Sequence, residues 1–176
     1  FNTIPSGVPC VVPDFGESSR RAAEHFLERG FRHYLFCSYS AEGSYHTQQT
    51  MAAFCQRLET EAHTFHQIEW QPDRSHPGET WERRQKWLRQ ELVNLPKPVA
   101  IFSMNPAPAM EIVEACVAEH LHIPDQVAVL NMFSFHLLTK CSRIPLSSIE
   151  YDNDLQVRVA CDLLDAMMNG SPAPTE

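Results

Sequence analysis

The residues best equipped for chemistry are nine histidines, six cysteines and a serine-rich stretch, and their spacing limits what they can do. A zinc site needs three or four nitrogen, sulfur or carboxylate ligands converging on one point. His63 and His66 are three apart in a stretch that reads as an edge strand, where that separation puts side chains on opposite faces. His120 and His122 flank a helix end with no Cys or carboxylate cluster beside them. Both pairs read as structural or solvated, and neither a metal nor another cofactor is expected. Ser38, Ser40 or Ser44 with His46 as base would share one loop at a strand end, but nothing supplies an orienting acid, so nucleophilic catalysis is not expected. Cys10, Cys37, Cys55, Cys116, Cys141 and Cys161 form no C-x-x-C pair and mostly sit among apolar neighbours, the pattern of reduced core thiols. The phosphate-binding and nucleophile motifs G-x-G-x-x-G, G-x-x-x-x-G-K-[ST] and G-x-S-x-G are absent, and six glycines leave few places for a backbone to approach a phosphate. The chain does not read as an enzyme.

Composition agrees. The 176 residues are one domain's worth, and with 43% apolar and 20% charged residues the chain can bury a core without being disordered or membrane-embedded. Acidic residues outnumber basic ones 22 to 14, a formal charge of -8, which is the wrong sign for gathering phosphates. Arg83, Arg84, Lys86 and Arg89 are interleaved with Glu79, Glu82 and Glu91 and read as a solvated helix face. Nothing resembles a signal peptide and no apolar run approaches the roughly 18 residues of a spanning helix, so a cytoplasmic location is expected. The chain opens on Phe1 and closes on a polar tail, and is expected to be a piece of something longer, with 171–176 as linker.

The elements that must position any site alternate. Helices are predicted over 18–29, with Ser18 or Ser19 as cap and Gly30 as stop, around Met51, Phe54, Cys55 and Leu58, over 80–95, over 108–121 starting at Pro108, and over 154–168. Trp81, Leu88, Leu92 and Leu95 are expected on one side of the third helix, with one of Trp81 and Trp87 in the core. In the last helix Leu155, Val159, Leu163, Leu164 and Met167 are expected inward, with Asp152 or Asn153 as cap. Strands are predicted over 33–37, 64–70, 99–104, 127–130 and 146–149. Such alternation predicts a three-layer α/β/α fold on a mainly parallel sheet. Ligands in such folds bind outside the carboxyl ends of the strands, here the loops 38–44, 105–108 and 131–136.

Several phrases carry a resemblance. Ala22-Ala23-Glu24-His25-Phe26-Leu27-Glu28-Arg29-Gly30-Phe31-Arg32-His33 is similar to the helix, glycine stop and strand start of lactose-repressor-type effector domains, which have the type I periplasmic-binding-protein-like fold. Ile123-Pro124-Asp125-Gln126-Val127-Ala128-Val129-Leu130 resembles that family's "vPeDvaVlg" strand, and Pro145-Leu146-Ser147-Ser148-Ile149 its "PpLssv" crossover. Leu95-Pro96-Lys97-Pro98-Val99-Ala100-Ile101-Phe102 with Ile112-Val113-Glu114-Ala115-Cys116 most resembles the xylose-operon-regulator branch. The match covers roughly 9–170. Family members have two lobes with the ligand between them, so the resemblance implies a partial effector domain over 1–170: a complete lobe at 33–144 and elements of the other at 1–32 and 145–170. Helices 18–29 and 154–168 are then expected to pack on the missing lobe, on each other, or on another chain.

The resemblance also places a site, with departures. The family grips sugar hydroxyls through charged and amide groups, whose hydrogen bonds are costly to lose. The position of the usual Asp after the "vaVlg" strand reads Phe133, followed by Ser134, Phe135 and His136, the "Nd" pair reads Asn105-Pro106, and the usual Arg maps to Thr50. Asp14 or Glu17 is expected near the cleft from the opposite lobe, and Tyr39 and Tyr45 from the loop after the first strand. The candidate ligand-binding set is therefore Asp14, Glu17, Tyr39, Tyr45, Thr50, Asn105, Phe133, Phe135 and His136. Rings in place of acids suit an apolar or aromatic effector as well as a sugar, or else they plug the cleft. The family likeness implies a transcription regulator's sensing or assembly domain, working by ligand-biased lobe closure, with a small-molecule effector, DNA reached only through a module outside this chain, no membrane, and a homodimer. The alternatives are a degenerate effector domain that works by homodimerisation alone and, with least support, a Rossmann-like enzyme.

Overall fold

A computed structural model describes residues 9–38, 45–59, 64–69, 81–134 and 141–174. The elements are α1 (Phe15–Leu27), β1 (His33–Ser38), α2 (Tyr45–Glu59), β2 (Thr64–Glu69), α3 (Trp81–Asn94), β3 (Val99–Ser103), α4 (Pro106–Ala118), β4 (Val127–Asn131), β5 (Ser147–Ser148) and α5 (Asn153–Met168). The strands pair in the order β2-β1-β3-β4-β5, every pair parallel. Because the order runs outward from β1 in both directions, the connecting helices fall on both faces, and the expected three-layer α/β architecture is what forms.

The sheet is buried on both sides, which is why its central strands are unbroken apolar runs. Alternate side chains build two separate cores. On one face Tyr34, Phe36, Phe102, Leu130 and Met132 pack with Ala22, Ala23 and Phe26 of α1 and Phe54 and Leu58 of α2. On the other, Leu35, Cys37, Ile101, Val127 and Val129 pack with Leu88 and Leu92 of α3 and Ile112 and Cys116 of α4. Register makes room for rings on the first face. Tyr34 lies opposite Ala100, which lies opposite Ala128. Phe54 stacks at 5.0 Å from Phe102 and meets Phe26 and Tyr34 edge-on at 6.4 Å.

Several expectations are corrected. α1 begins at Phe15, with Asp14 as its cap, while Ser18 and Ser19 lie inside the helix and donate to the carbonyl oxygens of Asp14 and Phe15. α4 begins at Pro106, two residues before Pro108, because proline suits the first turn and Asn105 takes the cap position. α1 packs on this sheet beside α2 rather than on a missing lobe, its small residues Ala22 and Ala23 letting the helix settle against the rings. α5 carries no fully buried residue: of the five expected inward, Leu155, Val159 and Leu164 are exposed, while Leu163 and Met167 are partly buried. Of the two tryptophans of α3, Trp81 is half exposed and Trp87 is partly buried against the second core. Cys10, Cys141 and Cys161 are exposed, whereas Cys37 and Cys116 are buried, and burial pushes both of their thiols up to about 12. Among the described residues no helix is long and apolar enough to cross a membrane.

Two stability measurements check this packing. Phe54→Ala removes the ring on which both α1 and α2 close, and is expected to cost about 3–5 kcal/mol in urea unfolding; a loss under about 1 kcal/mol would show that the rings do not meet. The second concerns acid. His66, opposite Leu35 on β1 and diagonal to His33 with ring centres 6.3 Å apart, is held below the ordinary histidine value by burial and then by His33. The native imidazole therefore binds its proton less readily than the unfolded one, so stability falls as pH drops below about 6.5. The melting temperature should be lower at pH 5.5 than at pH 7.5, with a smaller difference in His66→Gln; an unchanged difference in that variant would exclude His66 as the cause.

Candidate functional site

Parallel strands put their carboxyl ends along one edge, and backbone bonds carry the ladder past them. Met104 N–H donates to Cys37 O at 3.1 Å, Met132 N–H to Ser103 O at 2.8 Å and Ile149 N–H to Asn131 O at 3.0 Å. Asn131 then turns the chain. It is fully buried, and its Nδ2 donates to the Phe133 carbonyl, fixing the exit of β4 while its Oδ1 has no hydrogen-bond partner.

That turn sets Phe133 among rings from three other parts of the chain. Phe15, at the start of α1, lies edge-on at 6.0 Å; Tyr151, between β5 and α5, lies at 5.7 Å; and Phe15 in turn packs on His46 of α2 at 4.8 Å. The Tyr151 hydroxyl is buried, and the adjacent Ser18 Oγ donates to the Asp14 carbonyl without reaching hydrogen-bond geometry with the phenol. Burial pushes the phenol above its ordinary value, the Asp14 carboxylate adds to this, and Ser18 opposes it. Recesses open on either side of the α1 start. One of about 490 Å³ lies between Val12–Gly16 and the α2 residues His46, Gln49 and Ala52. Another of about 390 Å³ lies between Asp14, Glu17 and Ser18 and the stretch containing Ile149, Tyr151 and Leu155.

The structure brings together only part of the expected set. Phe133, Asp14 and Glu17 gather around the start of α1, a helix that packs on this sheet. Neither acid is idle. Asp14 Oδ1 accepts the Glu17 N–H at 2.8 Å, and Glu17 pairs with Arg20 at 2.8 Å and Arg21 at 2.9 Å, whose guanidinium groups, Arg21 foremost, hold its carboxyl below the ordinary value. Asn105 is exposed at the cap of α4, one strand over, and its side chain makes no cap bond. Thr50 is buried in α2 with an unpartnered Oγ1 and lines neither recess. Tyr39, Phe135 and His136 lie outside the described residues, as does the side chain of Tyr45, which opens α2. Sequence reasoning missed Phe15 and Tyr151 as neighbours of Phe133, and His46 as the ring behind Phe15. Phe15 would have stood out had Asp14 been taken as the cap, since the helix would then begin on an aromatic. No group of three or more His, Cys, Asp or Glu among the described residues can hold a metal ion.

Rings and two recesses gather at the carboxyl edge of a doubly wound α/β sheet, the edge at which ligands of such folds generally bind. Comparison with known proteins makes the class specific: residues 23–176 match the periplasmic binding protein-like domain, and the chain belongs to that family. It is 23% identical over 163 residues to the xylose operon regulatory protein of Haemophilus influenzae, covering 92% of this chain and 41% of that protein. The fold is similar to that of a xylose-binding transcription activator, with a TM-score of 0.82 at 22% identity over 97% of this chain and 44% of that one. It is also similar to a periplasmic binding protein/LacI transcriptional regulator from Alkaliphilus metalliredigens complexed with D-xylulofuranose, with a TM-score of 0.71 at 19% identity over 92% and 57% of the two chains. The chain spans less than half the length of the first two relatives.

The cap at Asp14 gives a direct check on the geometry. Asp14→Ala is expected to lose about 1 kcal/mol of stability in denaturant unfolding, and Asp14→Asn to lose little, because Asn caps as well as Asp. Equal losses in both variants would mean that the carboxylate charge, rather than the cap bond, holds the α1 start beside Phe133.

Proposed function

We propose that this chain is the effector-sensing part of a sugar-responsive transcription regulator. Its ligand settles at the carboxyl edge of the sheet against Phe15, His46, Phe133 and Tyr151. The observation that carries the reading is this ring cluster at the β4 exit, flanked by recesses of small-molecule size, within a family whose relatives include xylose and xylulose binders. The ligand closes a second lobe over that edge. By preferring the closed state it shifts the population and repositions a DNA-binding module outside this chain. The net charge of -8 agrees with DNA contact being made elsewhere, in a cytoplasmic homodimer. With rings where a polyol-binding site carries acids, the ligand is either a sugar stacked by its apolar face or a more aromatic compound.

A second reading has its own support: Phe133 is packed against the core that holds α1 and α2, so it can act as a plug. The chain then works by assembly alone through the exposed apolar side chains of α5. Thermal unfolding of the 176-residue chain with D-xylose, D-xylulose and phenylacetate separates the two. A ligand at about 100 times its Kd adds about 2.7 kcal/mol, and that gain should vanish in Phe133→Ala. No shift with any of the three, together with a dimer in sedimentation, would replace the sensing reading with the assembly one.

A further inference from the structure

A third recess lies on the opposite face of the sheet from the ring cluster. It is a groove of about 610 Å³ along α3, reaching Glu119 at the end of α4. Gln85 lines it and is 2% exposed. Its Nε2 donates to the Glu111 carbonyl at 3.1 Å, which fixes the amide, and its Oε1 has no hydrogen-bond partner. One turn along, Arg89 lines the same groove, and its Nε is also buried without a partner. Both orphaned atoms are enclosed in the wall, so the contacts open to a partner are those of the exposed apolar and charged side chains along the groove. Trp81 and Val93, both about half exposed, mark the two ends, and Lys86 and Arg89 put positive charge in the middle, between Glu82 and Glu119.

The geometry points to this groove as a docking site for an extended peptide segment of a protein partner, apolar at both ends and acidic in between. Dimensions favour a peptide over a metabolite. At 1.5 Å rise, Trp81 to Val93 is roughly 18 Å, the length of about six extended residues at 3.3 Å each. Trp81 to the midpoint of Lys86 and Arg89 is roughly 10 Å, three residues along such a segment. The charge pattern then attracts an acid at the fourth position and repels acids at the ends.

The probes are two labelled six-residue peptides, capped at both ends: one with phenylalanine first, aspartate fourth, leucine sixth and serines between, the other in reversed order. Fluorescence anisotropy is read on the 176-residue chain. At least one peptide should bind with a Kd below about 1 mM. Lys86→Glu, Trp81→Ala, or asparagine for the aspartate should each weaken it about tenfold, and added salt should weaken it further. Both substitutions lie at the surface, so circular dichroism should match the parent chain. The proposal fails if neither peptide binds, or if binding is indifferent to Lys86→Glu and Trp81→Ala. It also fails if Trp81→Ala instead lowers the sedimentation coefficient of the chain alone, since the groove would then be an interface between copies.

Discussion

Everything in this structure follows from burying both faces of a parallel sheet. Strands that run one way must be joined by chain returning over a face, and those returns are the helices that cover it. The resulting alternation is one of size rather than polarity. One face carries Tyr34, Phe36 and Phe102 beneath α1 and α2, the other the smaller Leu35, Ile101, Val127 and Val129 beneath α3 and α4. A one-residue slip of β1 would keep apolar groups on both faces but drive rings into the aliphatic core, so shape holds the register where polarity cannot. Ala100 and Ala128 complete the arrangement by leaving space beside Tyr34.

The same constraint assembles the ring-lined edge. With β1, β3, β4 and β5 ending on one side, the chain leaving β4, the start of α1 and the segment after β5 are forced together there, and the rings of Phe133, Phe15 and Tyr151 meet. Asp14 joins the two levels: it caps α1, which packs on the core, and lines the recess that α1 borders. Asn131 and Tyr151 add buried polar atoms without hydrogen-bond partners beside the rings.

Much of the fold was legible in the sequence. Runs such as Val99–Ser103 and Val127–Asn131 announce doubly buried strands, and Gly30 and Gly170, at φ 77° and 91°, stand where the helix stops were expected. Helix starts were harder, because Ser18 and Asp14 are equally good caps on paper and only the packing of Phe15 chooses between them. Where α1 and α5 pack was not legible either: both have apolar faces, yet α1 buries its face on the sheet and α5 buries no residue fully. In the candidate site, Phe133 was named from family resemblance, and it stands among rings at the exit of β4. Thr50 was assigned by the same reasoning but sits in the core, since a short side chain at that point of α2 does not reach the edge. Phe15, His46 and Tyr151 come from segments far apart in the chain, and only tertiary closure puts them together.

Ligand bound at this ring-lined edge would perturb the backbone amides that form it. Backbone amide chemical-shift mapping during titration with D-xylose, and separately with phenylacetate, tests it most directly. The account predicts that the largest changes with whichever compound binds fall on Asn131, Met132, Phe133, Phe15, His46 and Tyr151. Changes centred on α3, spread evenly over the sheet, or absent with both compounds would contradict it.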